Sequence, residues 1–240
     1  MTTFPQVLSQ QLRDNPGRPL VTYYDEASGE RVELSVTTYA NWVAKASSLL
    51  VDEHDLERGA TLRIDLPPHW LSVVFLGAAW NAGLVVTDAD DADAVICGPD
   101  SLERWAPEAG ERPVLACSLL PLGVRFADPL PADVHDVGIE VWGQPDGWAP
   151  YDPPGADDAA TCWGGAETTQ GQLWAAAAGA SLSSGDRLIS EADPASPPGT
   201  ASFCEPLSCG GSLVLVAHAD PDRLEAIAVA ERVTGRFPRV

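Results

Sequence analysis

The chain has 240 residues, 45% apolar and 20% charged, enough for one large domain or two small ones that bury roughly 70% of the unfolded surface without covalent staples. Only 14 basic residues stand against 35 acidic ones; the net charge of −21 excludes nucleic acid and anionic membrane surfaces as expected partners, because both are themselves polyanions. Five cysteines without Cys-x-x-Cys spacing and four histidines far apart in sequence indicate neither a disulfide framework nor a metal site, and with no leader-like N-terminus or apolar run of about 18 residues a cytoplasmic protein is expected.

Phe4, Val7, Leu8 and Leu12 recur at helical spacing and predict a helix over 4–14, stopped by Asn15-Pro16-Gly17. Leu20–Tyr24 and Arg31–Leu34 are β-rich runs that read as a hairpin. Ser35 is the N-cap expected for a helix from Val36 to about Glu53, with Tyr39, Val43, Ala46, Leu49 and Leu50 on its apolar stripe. Thr61–Leu66 alternates as a strand. The nearly all-apolar helix from about Trp70 to Ala82 should be buried on more than one side, with Gly83 closing it. Leu84–Thr87, Ala94–Cys97 and Val114–Cys117 read as interior strands, the last two flanking a short helix with Leu102 and Trp105.

Residues 121–156 are rich in proline, glycine and tryptophan and predict irregular chain with short helices. Beyond them, Leu173–Leu182 should be helical, Asp186–Ile189 a strand, Ala201–Leu207 a helix, Leu213–Val216 a strand and Pro221–Val233 a helix capped by Asp220. Strand and helix alternate, which predicts an α/β fold of layered, mostly parallel sheets with flanking helices. One domain over 1–240 is expected, with sub-domains 1–120 and 157–240 joined by 121–156.

The stretch from Asp157 to Ala180 concentrates the functional signal. A short apolar run meets Trp163, Gly164, Gly165, Thr168 and Thr169, and an alanine-rich helix follows. Strand, small polar turn and helix N-terminus together make an anion or nucleotide cradle, because unpaired N–H groups and the helix dipole face the turn. The plainer reading is a tight strand-to-helix turn capped by Thr168 or Thr169, and it is preferred: no Lys or Arg lies between Arg125 and Arg187, and Glu167 is acidic. Trp163 would line any pocket there. Asp157-Asp158 and the cluster of Asp88, Asp90, Asp91 and Asp93 read as solvated carboxylates. His54, His69 and His218 lack an accompanying nucleophile elbow; Ser208-Cys209-Gly210-Gly211 is the nearest approach to one.

Taken in order, Arg18–Tyr23, Leu34–Leu50, Leu56–Pro67 and Phe75–Val86, then Ser183–Leu188, Pro206-Leu207, Gly210–Leu215 and Asp220–Thr234, resemble the N-terminal part of the adenylate-forming superfamily, the acyl-CoA synthetases and AMP-dependent ligases, and more narrowly a compact actinobacterial branch of it. The resemblance implies the family's N-terminal fold without its small C-terminal domain. It also implies a Ser/Thr/Gly-rich phosphate loop closed by Pro-Lys-Gly. Here Thr161–Gly165 runs almost directly into Thr168-Thr169-Gln170, so most of that loop and its lysine look deleted. The family's adenine, ribose and catalytic-lysine segments have no corresponding positions in the sequence.

A non-adenylating relative that binds a small molecule or a protein partner is therefore expected, with no catalytic residue and no cofactor. Two alternatives stand beside it. One is a component that binds ATP or AMP with Mg²⁺ and works with a separately encoded C-terminal domain; the other is a homodimer-forming structural subunit paired through a sheet edge.

Overall fold

A computed structural model describes residues 2–238. The helices are α1 (Phe4–Asp14), α2 (Val36–Ser48), α3 (Trp70–Ala82), α4 (Leu102–Trp105), α5 (Val137–Glu140), α6 (Gln170–Ala178), α7 (Thr200–Cys209) and α8 (Pro221–Ala230). The strands are β1 (Pro19–Asp25), β2 (Glu30–Ser35), β3 (Thr61–Asp65), β4 (Val85–Thr87), β5 (Ala94–Cys97), β6 (Val114–Ala116), β7 (His135–Asp136), β8 (Ala159–Trp163), β9 (Ala166–Thr169), β10 (Arg187–Ser190), β11 (Ser212–Ala217) and β12 (Gly235–Phe237).

These strands form two mostly parallel sheets. One has five strands in the order β12-β10-β11-β1-β2; the other has seven, β7-β6-β5-β3-β4-β8-β9. Among the described residues only the hairpins β1–β2 and β8–β9 pair antiparallel. The smaller sheet takes strands from both ends of the chain and the larger one only from 61–169, so neither sheet coincides with 1–120 or 157–240.

Period-two side-chain alternation explains the layering. On β11, Leu213, Leu215 and Ala217 face the main core, while Val214 and Val216 face Ile227 and Ala228 of α8 on the outer side. On β5, Ala94 and Ile96 point inward and Val95 and Cys97 outward, against Trp105 of α4. With both faces covered, these strands read as continuous apolar runs. The main core joins both sheets through α1, α2, α3 and α7. Helix α3 is apolar on all sides because it is enclosed on all sides. A Cβ on its Gly77 would lie 2.9 Å from Phe4 and Val43 and closer still to the Tyr39 hydroxyl, so glycine sets the close approach of α2 to α3.

Several expectations shift. Helix α2 ends at Ser48 and continues as a π-helical turn, Leu49–Glu53, with the His54 N–H bonded to the Leu49 carbonyl. Strands β7, β9 and β12 are additional. Helix α6 spans Gln170–Ala178, starting and ending earlier than the alanine run suggested, and α8 ends at Ala230. The irregular segment 121–156 is fastened to α2 and its π-turn. Lys45 binds the Gln144 carbonyl and Asp146, Ser48 donates to Gln144 at 2.7 Å, and the Trp148 indole donates to Asp52 at 2.7 Å.

Candidate functional site

Strands β3, β4, β5 and β8 run parallel, so Asp65 at the end of β3 and Asp88, Gly98 and Gly164 just past the ends of β4, β5 and β8 share one rim of the larger sheet. That rim is where ligands sit in open α/β sheets. Strand β8 crosses to β9 through Gly164-Gly165, with Trp163 opposite Ala166 and Thr161 opposite Thr168. The connection is thus a two-residue hairpin and not the strand-to-helix turn expected from sequence. Gly164 and Gly165 have φ of 56° and 80°, the left-handed pair that a type I′ turn requires. A Cβ at either would meet nothing within 4 Å, so these glycines serve backbone conformation and not close contact.

Thr169 ends β9 and caps α6: its hydroxyl accepts from the Gln172 N–H at 3.2 Å while the Gln172 side chain accepts from the Thr169 N–H at 3.0 Å. Thr168 stays in the strand. The Gly164 N–H donates to the Asp88 carboxylate, at 2.9 Å to Oδ1 and 3.2 Å to Oδ2. The anion at this turn is therefore the protein's own. Asp90 pairs with Arg104 at 2.7 Å and Arg63 at 3.2 Å, and Asp93 accepts from the Thr61 N–H and hydroxyl at 2.7 Å, so the acidic cluster is divided among separate partners. Asp158 is gripped by both Nε and Nη2 of Arg58 at 2.8 Å, which holds its carboxyl below the usual range. Nearby in charge terms, burial and then Asp65 push the Asp193 carboxyl up.

Beside the hairpin lies an open crevice of about 240 Å³. Thr161, Trp163 and Thr168 share one face of β8–β9 and form its first wall; Leu173, Ala176 and Ala177 of α6 form the second. Pro197, Pro198 and the α7 residues Thr200, Ala201, Cys204 and Glu205 close it. Trp163 packs against the core as a wall and does not fill the space. The lining is chiefly apolar with hydroxyls at intervals, and burial pushes the Cys204 thiol far up, so that it stays protonated. A buried amide supports the site from below: Gln170 accepts from the Phe4 N–H at 3.0 Å and the Trp174 indole at 3.2 Å, and donates to the Trp80 carbonyl at 3.0 Å.

The other sequence candidates are dispersed. Cys209 ends α7 with its thiol near the carbonyls of Ser183 and Pro206, and burial raises its pKa. His218 meets Asp25 at 2.7 Å on the surface. His69 is buried as the N-cap of α3, its Nδ1 accepting from the Leu71 N–H at 3.1 Å. His54 meets Glu140 and His135, a grouping that sequence separation conceals.

No family model matches the chain. A "TIGR03089 family protein" of Mycobacterium tuberculosis is 36% identical over 236 residues, which is 95% of each chain. Among solved structures, an acyl-CoA synthetase from Brucella canis superposes with a TM-score of 0.79 at 16% identity, covering 98% of this chain and 47% of that one. The N-terminal domain of FACL13 from Mycobacterium tuberculosis gives 0.72 at 14% identity, covering 98% and 62%. The fold is that of the N-terminal domain of adenylate-forming enzymes, and the chain spans about half the length of such full-length structures.

Proposed function

Because the chain belongs to the TIGR03089 family and carries the adenylate-forming N-terminal fold, we propose that it is a non-adenylating protein of that fold, which binds a small, neutral, largely apolar molecule in the crevice beside hairpin β8–β9. The observation that carries this reading is the bond from the Gly164 N–H to Asp88. Adenylation gathers negative charge at the α-phosphate and needs cations and backbone N–H groups aimed at it. At this turn the donor is already taken by a carboxylate, Glu167 adds another, and no Lys or Arg lies between Arg125 and Arg187. Lys45, the single lysine, is held by Gln144 and Asp146.

The crevice favours a neutral ligand for the same reason. Its walls offer hydroxyls and apolar surface, and its only ionisable groups are the protonated Cys204 thiol and Glu205. Five unpaired cysteines suit a reducing compartment, which supports a cytoplasmic location, and no helix among the described residues is long and apolar enough to cross a membrane.

Two measurements test the reading. ATP–pyrophosphate exchange with a panel of carboxylic acids should give no turnover, and millimolar ATP with Mg²⁺ should leave the melting temperature unchanged; turnover would overturn it, and a nucleotide-dependent shift would favour an ATP- or AMP-binding component instead. In ligand-observed NMR with small neutral aromatic and aliphatic probes, binding should occur and be lost in Trp163→Ala. Probes that bind the variant equally well would show the crevice is not the site.

A further inference from the structure

His54 comes from one stretch of the chain and His135 and Glu140, five residues apart, from another, and their ligand atoms lie within 4.8 Å of one another. Glu140 spans both imidazoles: one carboxylate oxygen is 2.9 Å from His135 Nδ1 and the other 3.1 Å from His54 Nε2. The two rings stand edge to face, with centroids 4.3 Å apart. Each residue is held by its own element. The π-turn carries one extra residue per turn, which rotates His54 by about 100° from where a continued α-helix would aim it. His135 sits on β7, paired to β6 at the sheet edge, and Glu140 ends α5, whose start is fixed by Asp136 accepting from the Gly138 N–H at 2.9 Å.

We propose that these three residues form a site for a divalent transition metal ion, zinc foremost. Two imidazole nitrogens and one carboxylate oxygen are a zinc donor set, and bond lengths near 2.0–2.1 Å to a tetrahedral ion place ligand atoms about 3.4 Å apart. The spacings of 2.9 and 3.1 Å are made by different oxygens of Glu140, and one ligand atom from each residue lies within 4.8 Å of the others, so the ion would draw the widest pair together by up to about 1.4 Å while the carboxylate turns one oxygen to it. The mixed nitrogen and oxygen set does not suit calcium or magnesium, which take oxygen ligands. Access comes from the partly exposed His135 and from a cavity of about 470 Å³ that Glu140 lines together with Phe126, Leu130 and Val134. The bound ion fastens the irregular segment 121–156 to the end of α2, where Lys45, Ser48 and Asp52 already hold it.

The test uses the full chain, stripped with a chelator and titrated with Zn²⁺ against a chromogenic competitor. One equivalent should bind with micromolar or tighter affinity, unaffected by millimolar Mg²⁺ or Ca²⁺. His135→Ala and Glu140→Gln, each checked for native circular dichroism, should weaken binding at least about 100-fold. Should one variant fail to fold, the other decides. Cobalt titration gives a second readout, a visible ligand-field band that both variants abolish. Substoichiometric binding to the native chain, or affinity unchanged in the folded variant, would overturn the proposal.

Discussion

His69 shows how one buried side chain sets an acid limit on the fold. Its ring is enclosed by Tyr23, with centroids 4.8 Å apart, and by Trp70, and its Nδ1 must stay unprotonated to accept from Leu71. Burial lowers its pKa from 6.5 to about 4. The unfolded state therefore takes up the proton first, so this contribution is whole above pH 6.5 and declines as the pH falls toward 4. The full loss is about 3 kcal/mol. Asparagine at this position keeps the cap without titrating. Urea unfolding at pH 7.5 and 4.5 should show His69→Asn losing about 2 to 3 kcal/mol less than the native chain. Equal losses would mean that His69 is not held neutral. Glu30, a buried carboxylate 4.0 Å from His69 Nε2, responds to the substitution, so the comparison is made with Glu30→Gln in both proteins; carboxylates farther away act alike and cancel.

Hairpin β8–β9 makes the matching point for an element. Asn-Gly is the preferred pair for a type I′ turn, so Gly164→Asn should change stability by no more than about 0.5 kcal/mol, while Gly165→Ala, forced to positive φ, should cost about 1 to 2 kcal/mol. Thermal unfolding of both variants checks this; similar losses would rule out a turn governed by backbone conformation. Long periodic elements were legible in the sequence: α1, α3, β1–β2, β10 and β11 fall where apolar spacing and caps put them. Strands β7 and β12, at two and three residues, are too short to show a period. Strand β9 was hidden by Thr169, which ends a strand and caps a helix at once, although Gly-Gly between two β-capable runs was a hairpin signal in view. At the candidate site Trp163, expected to line any pocket beside the glycines, stands on a crevice wall together with Thr168, which reads from sequence as a turn or cap residue; the far wall comes from α7, and Asp88 reaches the turn from 76 residues away. Neither a distant helix nor a distant carboxylate leaves a local trace. The same holds for His54 and His135, brought together by a π-turn and an irregular segment.

At the scale of the molecule, charge is unevenly balanced. Arginines form many of the ion pairs, including Arg58–Asp158, Arg187–Glu231 and Arg223–Glu26, yet 35 acidic residues against 14 basic ones leave a large excess. Exposed pairs contribute only about 0.2 to 1 kcal/mol each, so mutual repulsion should dominate the salt response. Scanning fluorimetry between about 10 and 300 mM NaCl should show the melting temperature rising by several degrees. A fall would mean that the ion pairs outweigh the repulsion.

The interleaving of the two sheets also governs the order in which the protein can be assembled on the ribosome. Strands β3 to β9 emerge as one block, and the seven-stranded sheet can close once residue 169 is clear. Strand β1 must wait for β11: Arg18 and the Gly211 carbonyl it binds are 193 residues apart. Throughout that interval the first hairpin carries an open, apolar strand edge, which makes it the segment of the nascent chain most exposed to wrong pairing.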